Sequence, residues 1–251
     1  MLLLYAELDR LIRTYPHQVR RCAPSYDAVV GHVLEHLGVY GWFGYTTAMP
    51  PQGDNVVAWQ AAHAVDVDGT IFGELLESMM STERAGNLFR GVSEAITNVA
   101  NHAHIAARDD GLNLPPTKEW WMFVRDDGES LYVAVCDLGV GIPGSLPVLH
   151  TTEVLQSVFS RMFGNTRSTD GRMIQAALRL GRTRTALEHR GKGFPDILRV
   201  LDPEPKGEIA IYSNRGRVMY RAPELEPEMT RQTFKDSILG TIIVWSFPRK
   251  G

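Results

Sequence analysis

The order of hydrophobic patterns along the chain predicts an α/β fold, a two-layer sandwich in which a mixed, mainly antiparallel sheet carries its helices on one face. Two observations lead there. From residue 85 onward the chain reads as a helix, two strands, helices and then three strands. Runs of adjacent strands favour antiparallel pairing over the regular strand–helix alternation of a doubly wound parallel sheet. The punctuation between the first two strands, "DDGES" (126–130), is short and rich in Asp and Gly, as a hairpin requires.

Taken in order, residues 3–15 and 26–38 have helical spacing, and "HQVRRC" (17–22) between them could be a short strand. "MPPQGDN" (49–55) combines turn residues and marks a boundary. Residues 1–55 are therefore expected to form an N-terminal α/β extension and 56–251 the main domain. "VVAWQAAHAV" (56–65) reads as a strand. Between Asn87 and His104 the helical signal is strongest, with Phe89, Val92, Ile96, Val99 and Ala103 at three- and four-residue steps. "DDGLNLPPT" (109–117) breaks it. "WWMFVR" (120–125) and "LYVAVCD" (131–137) form the hairpin strands, with Trp120 and Trp121 on opposite faces. "VLQSVFSRMF" (154–163) and "MIQAALRL" (173–180) are helical, as is the short "FPDILRVL" (194–201). "EIAIYSN", "RVMYRA" and "GTIIVWSFP" then alternate as strands.

Composition excludes several function classes. The formal net charge is −3 and no Lys/Arg run is long enough for a nucleic-acid or polybasic membrane site. Cys22 and Cys136 are the only cysteines, so neither a disulfide framework nor C-x-x-C metal spacing is present, and a reducing, cytoplasmic setting is expected. The opening "MLLLYAELDRL" is too short in apolar residues for a signal-peptide core, and no stretch reaches bilayer-spanning length.

Three motifs carry chemistry. In "SEAITNVANHAH" (93–104), Glu94, Asn98, Asn101 and His102 share the helix side opposite Val92. A solvated helix face is one reading. Against it, Asn is a poor helix former, because its side chain competes for backbone hydrogen bonds, yet two stand mid-helix. A Mg²⁺-nucleotide site would use both types: the Asn98 amide oxygen is a hard ligand for the ion, and the Glu94 carboxylate can take a proton from an attacking group. In "LYVAVCDLGVGIPG", Asp137 ends an apolar strand and Gly139, Gly141 and Gly144 follow. The literal G-x-G-x-x-G lacks the dinucleotide-fold context, because Pro143 follows and no second strand brings an acid about 20 residues on. Either the turn is a glycine-rich cap, or Asp137 accepts a hydrogen bond from an exocyclic amine such as that of adenine while the glycines let backbone approach a flat ring. In "EHRGKGFPDIL", Gly191, Lys192 and Gly193 precede a helix, which suits a phosphate site or a plain helix cap, without P-loop spacing. His102 and His104 near Glu94 could suggest a metal, but zinc would want three or four ligands in a recognisable spacing.

In this order, "EAITNVANHA", "DLGVGIP", "RGKGFPDI" and "GTIIVWSFP" resemble the GHKL ATPase superfamily of gyrase, heat-shock chaperones, histidine kinases and MutL, over about residues 84–248. The wording between 173 and 194 looks most like stand-alone bacterial ATP-binding proteins of the anti-sigma type. The resemblance implies the Bergerat fold, with ATP and Mg²⁺ as ligands. It implies Glu94 as general base, Asn98 as Mg²⁺ ligand, and Asp137, Gly139, Gly141 and Ile142 around the adenine, with Thr241 helping to hold Asp137. Gly191, Lys192, Gly193 and Phe194 would lie near the phosphates, and residues 144–190 would be the lid, from which Thr183, Arg184 and Thr185 could meet them. Arg167, Arg172, Arg179, Arg182 and Arg184 give that lid a basic bias, which a solvated helix face explains equally well. The first 48 residues faintly resemble the end of a STAS-like unit, and a plain helical extension is an equal alternative. No phosphoacceptor histidine motif or transducer segment is visible, so autophosphorylation and gyrase-like machinery are not expected. The expected function is Mg²⁺-dependent ATP binding, with slow hydrolysis or phosphoryl transfer to a protein partner. The alternative is an ATP-gated interaction module with negligible turnover. A regulatory or effector protein as partner completes the expectation: no nucleic acid, no membrane, with a homodimer left open.

Overall fold

Seven strands form one sheet: β1 (Trp59–Ala64), β2 (Trp120–Asp126), β3 (Ser130–Asp137), β4 (Glu208–Ser213), β5 (Gly216–Arg221), β6 (Met229–Thr233) and β7 (Thr241–Pro248). The computed structural model describes residues 1–18, 22–45, 59–65, 67, 69–112, 114, 117–184, 193–204, 206–221 and 229–249, with backbone alone at 182–184 and 193. In space the strands run β1-β2-β3-β7-β4-β5-β6. Every neighbouring pair is antiparallel, so the α/β class stands while the expected mixed sheet does not. The last strand lies in the middle because it alternates cleanly: Thr241, Ile243, Trp245 and Phe247 are buried in step, and β7 bridges the β2–β3 and β4–β5 hairpins.

Helices cover both faces, which corrects the one-sided expectation. On one face lie α4 (Gly69–Met79), α5 (Thr82–Asn98), α6 (Gly141–Leu149), α8 (Asp170–Arg184) and α9 (Gly193–Arg199), packed against Trp120, Met122 and Val124. On the other lie α1 (Leu2–Thr14), α2 (Ala28–His36) and α3 (Val39–Trp42), packed against Trp121, Phe123, Cys136 and Leu138. The cause is β2, which is apolar and buried at five successive positions, so each face of it needs a cover. The N-terminal layer is also pinned by polar contacts. The Trp121 indole N–H donates to Asp9 Oδ2 at 2.8 Å, and Arg10 donates to Asp110 Oδ2 at 2.9 Å. Between 1 and 45 the described residues hold these helices and no strand; of the strand expected at 17–22, His17 and Gln18 lie in a turn and 19–21 fall outside the described residues, as does 49–55.

Three further differences bear on the site. The helix read to His104 ends at Asn98, and Val99–Ala103 continue as one π-helical turn, which re-aims the residues that follow. The region expected as a lid is largely helical: α6, α7 (Thr152–Phe163) and α8. Within it, α8 buries Ile174, Ala176, Ala177, Leu178 and Leu180 in the core, so 170–181 are structural. Arg172 stacks over the Phe163 ring and donates to the Arg167 carbonyl, and Arg179 is exposed.

Two glycines of α5 test this packing. A Cβ at Gly86 would meet nothing within 4 Å, whereas one at Gly91 would lie 2.4 Å from Val200 Cγ2 on the neighbouring segment. Both changes to Ala raise helix propensity alike. Gly86→Ala should therefore stabilise the protein by about 0.5–1 kcal/mol, and Gly91→Ala should destabilise it by about 1–3 kcal/mol through overpacking. Urea unfolding followed by circular dichroism checks the pair; equal shifts of the same sign would contradict the α5 packing.

Candidate functional site

The site begins with one row of residues across the sheet. Asp137, the last residue of β3, pairs with Thr241, the first of β7, and Thr241 pairs with Ser213, the last of β4. Strand alternation turns Asp137 toward the helical layer, where it is 6% exposed. Its Oδ1 accepts the Gly139 N–H at 2.8 Å, and Thr241 also bonds it. Burial pushes the Asp137 carboxyl up to about 6, while the Gly139 and Thr241 hydrogen bonds and the positive charge of Arg108 pull against that shift. The group is therefore largely ionised at neutral pH, and able to accept a hydrogen bond.

The glycine turn after β3 is clamped on two sides. Val140 N–H donates to the Ala103 carbonyl at 2.8 Å, and a Cβ at Gly139 would sit 2.2 Å from that oxygen. Gly141 has φ +73°, and its Cβ would lie 2.6 Å from Asn214 Oδ1. Asn214 Nδ2 donates to the Val140 carbonyl at 3.0 Å, and Ser213 Oγ accepts the Ile142 N–H at 2.8 Å. These glycines are thus required first by close approach to the protein's own π-turn and β4–β5 hairpin.

Glu94, Asn98, Asp137, Gly141, Ile142, Phe194 and Thr241 all face one cavity of about 640 Å³. Its remaining wall is mostly apolar, with Leu146, Ala177, Leu180 and Ile243. Asn101 and His102 reach it as well, carried round by the π-turn. Gly139 does not line the cavity and lies behind its wall, against Ala103. Thr183 and Arg184 belong to the last turn of α8, but their side chains fall outside the described residues, as do Thr185, Gly191 and Lys192; Gly193 is described only as the backbone start of α9.

Ser213, Asn214, Leu146 and His150 were not singled out in the sequence. One signal could have found Ser213: it follows Ile209 and Ile211 on the buried face of β4, where a polar residue needs partners. Asn98 Nδ2 is buried with no hydrogen-bond partner, so one end of this amide is left for a ligand or its water shell. An unpaired amide N–H suits an acceptor oxygen. His104 does not line the cavity, and burial holds its imidazole down at about 4, hence neutral at pH 7. Among the described residues no group of three His, Cys, Asp or Glu is placed to hold a metal ion.

The raised Asp137 carboxyl has a consequence for stability. Its folded value, about 6, lies above the ordinary carboxyl value of 3.8. The folded state then holds the proton more tightly, and this group's contribution to stability is lost as pH rises from about 4 through 6. His104, lowered from 6.5 to about 4, acts in the opposite sense over the same window, so wild type alone does not isolate Asp137. The stability difference between wild type and Asp137→Asn should fall by roughly 2–3 kcal/mol from pH 4 to pH 7. Denaturant titrations at several pH values measure it; a difference independent of pH would contradict the burial of a titrating carboxyl.

Compared with known proteins, the chain matches no family model and no curated protein sequence. Its functional reading rests on the cavity and the groups that face it.

Proposed function

We propose that the chain binds an adenine nucleotide with Mg²⁺ in this cavity, and either hydrolyses it slowly or passes its terminal phosphoryl group to a protein partner. One observation carries the reading: residues far apart in sequence, Glu94 and Asn98 on α5, Asp137 on β3, Ile142 on α6, Phe194 on α9 and Thr241 on β7, face a single cavity. Its volume, about 640 Å³, lies within the range of small-molecule sites. The same convergence supports the GHKL resemblance and a Bergerat-type arrangement, with the α5 helix and the glycine turn as its two walls.

Each group has a role that follows from its surroundings. Asp137, fixed by Gly139 N–H and Thr241, offers an acceptor to the adenine amine. Leu146, Ala177 and Ile243 provide apolar surface for a flat ring and exclude water. Asn98 offers the amide oxygen for Mg²⁺, and the ion would neutralise charge on the phosphates when bound. Glu94, one helical turn before Asn98, is placed to accept a proton from an attacking water or hydroxyl.

The two α5 residues should fail differently. Asn98→Ala should weaken Mg·ATP binding, measured by calorimetry with and without Mg²⁺, and lose most of the Mg²⁺ dependence. Glu94→Ala should bind Mg·ATP nearly as wild type and lower single-turnover rates by about 10²–10⁴. Labelled ATP followed with and without candidate partners reads the chemistry: free phosphate means hydrolysis, label on protein means transfer. Wild-type affinity in Asn98→Ala together with wild-type turnover in Glu94→Ala would reduce this helix face to a solvated one. Asp137→Asn should weaken ATP binding by about 1–3 kcal/mol, through a mispaired buried group. Equal binding of GTP and ATP by wild type would remove Asp137 from base recognition.

A further inference from the structure

We propose that Ser213 is a specificity-determining positioning residue of this site: acting through Thr241, it keeps Asp137 a proton acceptor, and so sets the preference for a purine bearing an amine over one bearing a carbonyl at the same position. The proposal rests on the adenine reading above. Ser213 is fully buried, and its Oγ has three hydrogen-bond neighbours for one proton and two lone pairs. The Ile142 N–H fills one lone pair, at 2.8 Å. Thr241 Oγ1, at 3.0 Å, and the Gly240 carbonyl, at 3.2 Å, compete for what remains.

Counting protons links these bonds to Asp137. When Asp137 is ionised, the Thr241 hydroxyl donates to it, and the Ser213 proton turns to Thr241 Oγ1. The Gly240 carbonyl is not stranded, because Asn214 N–H also donates to it at 3.1 Å. When Asp137 is protonated, its one proton sits on the oxygen that faces the cavity, and the Thr241 hydroxyl still donates to the other oxygen, now uncharged and a weaker acceptor. The two states differ in whether Asp137 presents a lone pair or a proton to the cavity. A lone pair pairs with the amine of adenine; a proton pairs with the carbonyl of hypoxanthine. A Ser213 hydroxyl that donates to Thr241 strengthens the Thr241 donation to the carboxylate and favours the acceptor state. Without Ser213, the Thr241 hydroxyl donates more weakly to the carboxylate, so the protonated state, which presents a donor to the cavity, gains. The other charged or titratable groups around Asp137 are Cys136 beside it on β3, Arg108 in the segment after the π-turn, and Glu94, His102 and His150 across the cavity. None of them belongs to the hydroxyl chain.

The test uses adenosine and inosine, which differ at this one position and carry no phosphate to titrate. Calorimetry from pH 5 to 8 compares wild type, Ser213→Ala and Ser213→Cys. Wild type should prefer adenosine at pH 7.5, with the preference fading as pH falls. Ser213→Ala should lower the adenosine-to-inosine affinity ratio about 3- to 10-fold, and move its pH midpoint up by about half a unit. The same upward move should show in a ¹³C NMR titration of the Asp137 carboxyl without any ligand. Ser213→Cys keeps the volume with only a weak donor, and should behave as Ser213→Ala. Equal losses for both nucleosides, an unmoved midpoint, or wild-type behaviour in Ser213→Cys would overturn the proposal and leave Ser213 a packing residue. Wild type preferring neither nucleoside would overturn the adenine reading, and this proposal with it.

Discussion

A carboxylate carried into the interior at the end of a strand must find donors or give up its charge, and the surroundings of Asp137 answer that requirement. Backbone N–H from Gly139 supplies one donor and Thr241 another. To bring Thr241 alongside, the last strand of the chain has to enter the middle of the sheet and pair with β3. To bring the Gly139 N–H round, the chain has to turn immediately after β3, which presses Gly139 against the π-turn that ends α5. The turn in turn needs Ser213 and Asn214 from the β4–β5 hairpin to hold it from the far side. One buried acid thus couples three separate stretches of sequence. The same geometry leaves Asp137 lining the cavity that Glu94 and Asn98 also face.

The N-terminal helices contribute to this arrangement from behind. They cover Trp121, Phe123, Cys136 and Leu138, the residues that alternate with those facing the helical layer on the cavity side. A strand pair buried on both faces has little freedom to shift its register, because a one-residue slip would move every side chain to the wrong side. The ion pairs of Arg10 with Asp110 and of Glu7 with Arg108 tie the same layer to the segment that follows the π-turn. The sheet behind the cavity is thereby backed by a second hydrophobic cluster and not by solvent.

Much of this was legible in the sequence. Strand alternation in "LYVAVCD" and "GTIIVWSFP" located β3 and β7, and the apolar spacing around Ile96 located α5, because both patterns survive without knowledge of neighbours. What the sequence hid was pairing and surroundings. Five consecutive apolar residues in β2 do signal burial on both faces, yet the second cover lies more than 75 residues earlier in the chain, by about the span from Val39 to Trp120. The π-turn was invisible because Val99 and Ala103 keep a helical apolar spacing that either turn accommodates. β6 escaped because "MTRQT" is an exposed edge strand with four polar residues and no alternation. Of the residues singled out in the sequence, Glu94, Asn98, Asp137, Gly141, Ile142, Phe194 and Thr241 line one cavity. The glycines have a reason the motifs did not state, since Gly139 and Gly141 are demanded by Ala103 and Asn214. Ser213 and Asn214 went unread because their importance arises only when β4 is placed beside β7.

The central claim is that this cavity holds an adenine nucleotide by its base at Asp137 and its phosphates toward α5. The most direct measurement is a crystal structure of the chain with Mg²⁺ and a non-hydrolysable ATP analogue. The account predicts the adenine amine within about 3 Å of the Asp137 carboxylate, at hydrogen-bonding distance, with Asn98 Oδ1 on the cation. An analogue seated elsewhere, or a base that turns its amine away from Asp137 inside this cavity, would contradict it.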